Sequence, residues 1–184
     1  MTFIVRAIAT ASVIALSSPA DAAAPKQLYN RTIKASWTVQ LESKAPSGQI
    51  YNTAMAVNGV VYVSSAGRLF VAGTRSVAGR GSDTVRAGPG EGYGGTASSI
   101  GFQGKVLRAT IPSAGGGGAV QIAFTFDPAY TTCDVSVVYG RSGKGNASYK
   151  GVNEPTVNYE QLSRKVVGQS CSIVDGNAFS VGTN

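Results

Sequence analysis

Apolar and polar residues alternate along most of this chain with a period of two, not the 3.6 of a helix. Arg31 to Glu42 (RTIKASWTVQLE) put Ile33, Ala35, Trp37, Val39 and Leu41 on one side and Thr32, Lys34, Ser36, Thr38 and Gln40 on the other. That spacing predicts a strand with one buried and one wet face, anchored by Trp37. Gln49 to Val57 reads as a second strand, Asn58-Gly59 as a two-residue hairpin turn, and Val60 to Ser65 as the returning strand. Ala66-Gly67 reads as another tight turn, leading into Arg68 to Ala72. The alternation resumes at Ile100 to Phe102, Lys105 to Ile111, Ala119 to Phe126 and Thr132 to Tyr139, where Cys133, Val135 and Val137 share a face. Asn158 to Val167 fits either period. Asn158 with Gln161 three residues on has the form of a helix cap, but the segment runs directly into strand-like Gln169 to Val174, which favours strand.

Between these segments lie glycine-rich interruptions. Residues 73–99 carry no sustained apolar period, so the sequence predicts a long mobile loop there, with room for a short strand near Asp83 to Arg86. Many short strands joined by tight turns, with almost no helical spacing, predict one all-β antiparallel domain. Its form is a meander barrel or a sandwich of seven to nine strands.

The first 22 residues follow a different rule. Met1 to Arg6 carry one positive charge, Ala7 to Leu16 are apolar or small, and Ala20-Asp21-Ala22 offer the small residues a signal peptidase accepts. Residues 1–22 are therefore expected to be a cleavable secretory signal, cut between Ala22 and Ala23, with residues 23–184 the working domain in the periplasm or outside the cell. The apolar run is too short for a bilayer core, which needs about 20 residues. No later stretch is long and apolar enough to span as a helix, and no aromatic girdles of the outer-membrane barrel kind punctuate the strands.

This address changes how composition is read. Loss of the signal removes one base, Arg6, and one acid, Asp21, so the formal charge of +7 stays with the mature domain. Its bases are scattered singly, with only Arg164-Lys165 adjacent, which does not resemble a nucleic-acid-binding tract. Anionic polysaccharide, lipid or an envelope protein are the partners that such a charge balance suits. Cys133 and Cys171 are the two cysteines, and in an oxidising compartment an even pair reads as a structural disulfide.

The chain contains no histidine, so Ser-His-Asp and Cys-His catalysis have no base. The remaining acids show no spacing that singles out a glycosidase-like pair, and no catalytic residue, metal site or cofactor is expected. Gly90 to Gly95 and Gly140 to Gly145 have the glycine spacing of nucleotide-binding loops without the strand before and helix after, and read as plain loops. The candidate site is the glycine-rich loop, where Arg75, Arg80 and Arg86 with Tyr93 have the chemistry to clasp an anion through planar, bidentate hydrogen bonds. A second candidate is the set Trp37, Tyr62, Phe70, Phe102, Phe124 and Phe126. If all six point inward, they fill a core or line the cavity of a small-ligand-binding barrel. A small, basic, disulfide-stapled domain with a long loop also suits an inhibitor of an envelope hydrolase.

Four pieces carry a resemblance: Ala35-Ser36-Trp37, Val63 to Phe70 (VSSAGRLF), Phe126-Asp127 with Thr131 to Cys133, and Ser170 to Phe179 (SCSIVDGNAF). Together they resemble a group of uncharacterised exported bacterial β-rich proteins with two cysteines in the same relative places. The resemblance implies an envelope address and paired cysteines, and no activity. The start of the first strand is also similar to lipocalin- and avidin-like barrels, in which Gly-x-Trp sits early, but Ala35 stands here in place of the glycine.

Overall fold

A computed structural model describes residues 23–77, 81–87, 99–112, 119–140, 145–149 and 157–178. The expected signal segment, residues 1–22, lies outside the described residues. Ten strands form two antiparallel sheets: β1 (Arg31–Lys44), β2 (Ile50–Val63), β3 (Leu69–Val77), β4 (Gly81–Ala87), β5 (Ser99–Gln103), β6 (Val106–Pro112), β7 (Ala119–Phe126), β8 (Cys133–Tyr139), β9 (Gly145–Tyr149) and β10 (Val157–Asp175). The larger sheet has the order β4-β3-β2-β1-β10-β9 and the smaller β5-β6-β7-β8. Both are meanders, except that the last long strand returns beside the first. The two sheets stack sandwich-like, and the described strands do not close into a barrel.

The alternation in β1 does what its spacing predicts. Ile33, Ala35, Trp37 and Val39 are buried and meet Val61, Val63 and Val71 of the same sheet. Against them pack Phe102, Leu107, Ala109, Ile122, Phe124, Phe126 and Val137 of the smaller sheet. Leu28, in a short 3-10 turn before β1, and Tyr130, after β7, close one end of this core. There Arg31 donates from Nη1 to the Tyr130 carbonyl at 2.8 Å and pairs through Nε with Asp175 at 2.9 Å. Tyr62 and Phe70 do not join the interior: they pair with each other, 6.1 Å between ring centroids, on the opposite face of the larger sheet.

Turn chemistry departs from expectation at one place and obeys it at another. Asn58-Gly59 is no turn; both residues lie inside β2, opposite Ser36 and Ala35. Pairing on both flanks, to β1 and to β3, outweighs the local preference. Gly59 lies beside the Trp37 ring, where a Cβ would make ordinary van der Waals contact at 3.8 Å. The real turns are Ala45–Gln49 and Ser64–Arg68, built alike. In each the fourth residue, Gly48 or Gly67, donates its N–H to the first at 2.9 Å and takes a positive φ of 89° or 73°, the usual form of a three-residue hairpin loop.

Residues 73–99 are not a single loop. Residues 73–77 complete β3 and residues 81–87 form β4, paired from Val71↔Ala87 to Val77↔Gly81. Thr74, Ser76 and Thr84 have the β-branched or small side chains that a pleated sheet accepts, although they give no apolar alternation. Asn158 to Val167 is strand, as favoured, within the 19-residue β10. Cys133 of β8 and Cys171 of β10 form a disulfide, with their Cα atoms 5.5 Å apart, that ties the smaller sheet to the larger.

Candidate functional site

The two sheets differ in length. β1 and β2 have 14 residues and β10 has 19, while β8, which lies beside β10, has seven. The larger sheet therefore runs on past the point where β8 ends at Tyr139. Its inward-facing positions beyond that point belong to Leu41 and Ser43 of β1, Tyr51 and Thr53 of β2, and Tyr159, Gln161 and Arg164 of β10, as the registers Leu41↔Arg164, Ser43↔Gln161, Ser43↔Tyr51 and Leu41↔Thr53 require.

Two bulges in β10 set this arrangement. At the first, Trp37 faces both Gly168 and Gln169, and Gly168 has a φ of 63°. This glycine-led bulge re-aims the strand, and Gln169 Oε1 accepts the Val137 N–H of β8 at 2.9 Å, holding the edge of the smaller sheet against β10. The second, at Leu162, brings Gln161 and Arg164 onto the same face, and Arg164 Nη2 donates to Gln161 Oε1 at 3.1 Å.

Tyr139 thereby lands on Arg164, whose guanidinium carbon sits 4.7 Å from the centre of the phenol ring, a cation–π contact. Trp37 is buried, with 6% of its surface exposed, and its indole nitrogen has no hydrogen-bond partner; nor has Arg164 Nη1, which is also covered. The Trp37 N–H lies near enough to the Tyr139 hydroxyl to favour the phenolate, yet does not meet hydrogen-bond geometry. Burial raises the Tyr139 pKa above its ordinary value, outweighing the Trp37 contact and the positive charges of Arg164 and Arg75. Tyr139 thus keeps its proton at neutral pH and remains a donor. Indole N–H and guanidinium N–H donate only. Among the described residues no carboxylate is paired with Arg164. The cluster is rich in donors, and its one described acceptor in use is Gln161 Oε1.

Arg75 belongs to this neighbourhood. It lies on the same inward row as Val57 and Trp37, and its register partner on β4 is Asp83. Arg86 is placed elsewhere. Its register partner on β3 is Ala72, three residues before Arg75. Arg80 and Tyr93 lie outside the described residues. Of the six aromatic candidates, Trp37, Phe102, Phe124 and Phe126 fill the core. Arg164, Tyr139, Gln161, Tyr51 and Tyr159 were not singled out in the sequence. The available signal was phase: Arg164 alternates with Val166, an arginine in an apolar row.

Elsewhere, a shallow depression of about 520 Å³ at the tip of β1 and β10 is lined by Lys44, Ala45, Pro46, Asn158, Tyr159 and Glu160, a mixture of charges that selects no ligand. Among the described residues no group of three His, Cys, Asp or Glu is placed to hold a metal ion, and no helix is long and apolar enough to cross a membrane. No protein family, curated protein or solved structure matches this chain.

Proposed function

We propose that the chain is an exported, disulfide-stapled β-domain that binds an anionic partner at the mouth between its sheets and catalyses no reaction. The observation that carries this reading is Arg164: an inward-facing guanidinium, stacked on Tyr139, whose covered Nη1 has no acceptor. A buried donor without a partner costs about 1–3 kcal/mol, a cost that an incoming oxyanion relieves. Trp37 N–H and the Tyr139 hydroxyl stand in the same cluster and supply neutral donors. Export is supported by the pattern of residues 1–22 and by the disulfide, a bond that persists in oxidising compartments.

Trp37 is the single tryptophan, so the site reports on itself. Titration of the mature domain with polygalacturonate, dextran sulfate and phosphatidylglycerol vesicles, followed by Trp37 emission, is expected to give saturable binding to at least one. Arg164→Met is expected to weaken that binding at least tenfold. Binding to none of the three, or equal binding by Arg164→Met, overturns the reading.

A further inference from the structure

We infer that the Cys133–Cys171 disulfide is a redox latch on the anion site: its reduction parts β8 from β10, takes Tyr139 off Arg164 and weakens anion binding while the larger sheet stays folded. This rests on the anion-binding reading above and names how that site is regulated.

β8 and β10 lie side by side but belong to different sheets. β8 is the last strand of the smaller sheet, and β10 pairs with β1 and β9, so among the described residues no backbone ladder joins the two. Three side-chain links bridge this seam instead. In order along it they are the disulfide, the 2.9 Å bond from the Val137 N–H to Gln169 Oε1, and the Tyr139 ring against the Arg164 guanidinium. Only the first is covalent, and the other two are each weak where water competes. β8 also brings little to the core. Val137 is its one buried residue; Cys133, Val135 and Tyr139 are half-buried, and Asp134, Ser136 and Val138 are exposed. Few buried apolar contacts mark the part of a structure that opens first.

The anion site sits on this seam. Tyr139 ends the strand that Cys133 begins, and Trp37 faces the bulge of β10 at Gly168. With the seam closed, Arg164 Nη1 is covered and Trp37 is buried. The ladders of β1 with β2, β2 with β3 and β1 with β10 do not cross the seam, so its opening dismantles the site and leaves them in place.

Both cysteines are half-buried, at an edge of the sandwich and not in its sealed interior, and disulfides within reach of solvent are the labile ones. The reductant is a dithiol. Its thiolate attacks one sulfur of the bridge, forming a mixed disulfide and releasing the other cysteine as a thiolate that takes up a proton. The second thiol of the reductant then attacks the mixed disulfide and closes the reductant's own disulfide. Two electrons and two protons end on Cys133 and Cys171 as thiols. The closure of 38 residues is lost, and the seam keeps only its two weak links.

The test compares the oxidised mature domain, the same domain reduced with dithiothreitol, and the double variant Cys133→Ala/Cys171→Ala. Three properties are followed: amide hydrogen exchange, acrylamide quenching of Trp37, and binding of polygalacturonate, dextran sulfate and phosphatidylglycerol vesicles. In the reduced domain and in the variant, exchange at the Val137 amide is expected to rise about tenfold or more while the β1 and β2 amides keep their protection. Trp37 should become more open to quenching, and binding of any probe that the oxidised domain holds should fall about tenfold or more. Reoxidation should restore all three in the parent chain. Unchanged Val137 exchange and Trp37 quenching overturn the latch, and so does loss of protection throughout β1 and β2, which is global unfolding. A seam that opens without loss of binding overturns the regulation and leaves the anion reading standing. An oxidised domain that binds none of the probes overturns the anion reading itself, and the regulation with it.

Discussion

Replacing Arg164 with methionine separates the needs of the fold from those of the site. The side chain faces inward opposite Leu41, so a residue of similar length and apolar character suits the position. Removing Nη1 relieves a covered, unpartnered donor, a gain of about 1–3 kcal/mol. Against this stand the lost cation–π contact with Tyr139, worth about 0.5–1 kcal/mol where the group is partly open to water. The lost hydrogen bond to Gln161, whose donor is charged, adds about 1.5–3 kcal/mol. At the middle of these ranges the losses exceed the gain by about 1 kcal/mol. Urea unfolding followed by Trp37 emission should therefore move by no more than about 0.5 M at a slope near 2 kcal/mol per molar. An arginine retained for a buried ion pair would instead cost about 3–5 kcal/mol when truncated. A loss above about 2 kcal/mol would refute the reasoning, because it would mean that Arg164 is held in place by the fold and not by a ligand.

Two further outcomes are expected. Replacing Cys133 and Cys171 together by alanine opens a closure of 38 residues that ties β8 to β10. Under the chain-entropy account this costs roughly 3–4 kcal/mol, and a loss below about 1 kcal/mol in urea unfolding would contradict that staple role. Asp127 accepts hydrogen bonds from the backbone N–H groups of Ala129, Thr131 and Thr132 and from the Thr131 hydroxyl, which hold its carboxyl at about 2, below the ordinary 3.8. A pKa depressed by folding stabilises the fold above the unfolded value, and that contribution is lost as pH falls from about 4 through about 2. Asp127→Asn should be less stable than the parent at pH 6 and lose less stability over that acid window; parallel pH profiles in thermal unfolding would exclude this.

Much of the architecture is legible because one face of each long strand is buried. Ile33 to Leu41, Leu107 to Ala109, Ile122 to Phe126 and Cys133 to Val137 all alternate in phase with the core. Legibility fails where that condition fails. At residues 73–77 the inward positions are Gly73, Arg75 and Val77, which make no apolar period, so the segment reads as loop although it pairs on both sides. Asn58-Gly59 fails for the opposite reason. Its turn preference is local and weak beside 14 register pairs with β1. Arg164 was hidden by two bulges, at Leu162 and at Gly168, which shift the phase of β10 twice and leave the segment ambiguous between periods.

The same mismatch that hides the site also creates it. A sandwich whose sheets match in length would require apolar residues at every inward position, because uncovered polar groups there would be buried without partners. Here, among the described residues, β8 ends at Tyr139, and the inward row of the larger sheet continues as Leu41, Ser43, Tyr51, Thr53, Tyr159, Gln161 and Arg164. That row is neither the apolar set of a core nor the scattered charge of a solvated face. The disulfide and the Gln169 bond to Val137 fix where β8 ends against β10, so Tyr139 meets Arg164 and not an apolar neighbour. Stability alone does not call for that placement, since an apolar pair would pack there without leaving Arg164 Nη1 unpartnered. On the proposed anion-binding reading, Arg164 Nη1, left without an acceptor by the protein itself, is preorganised for an acceptor that comes from outside it.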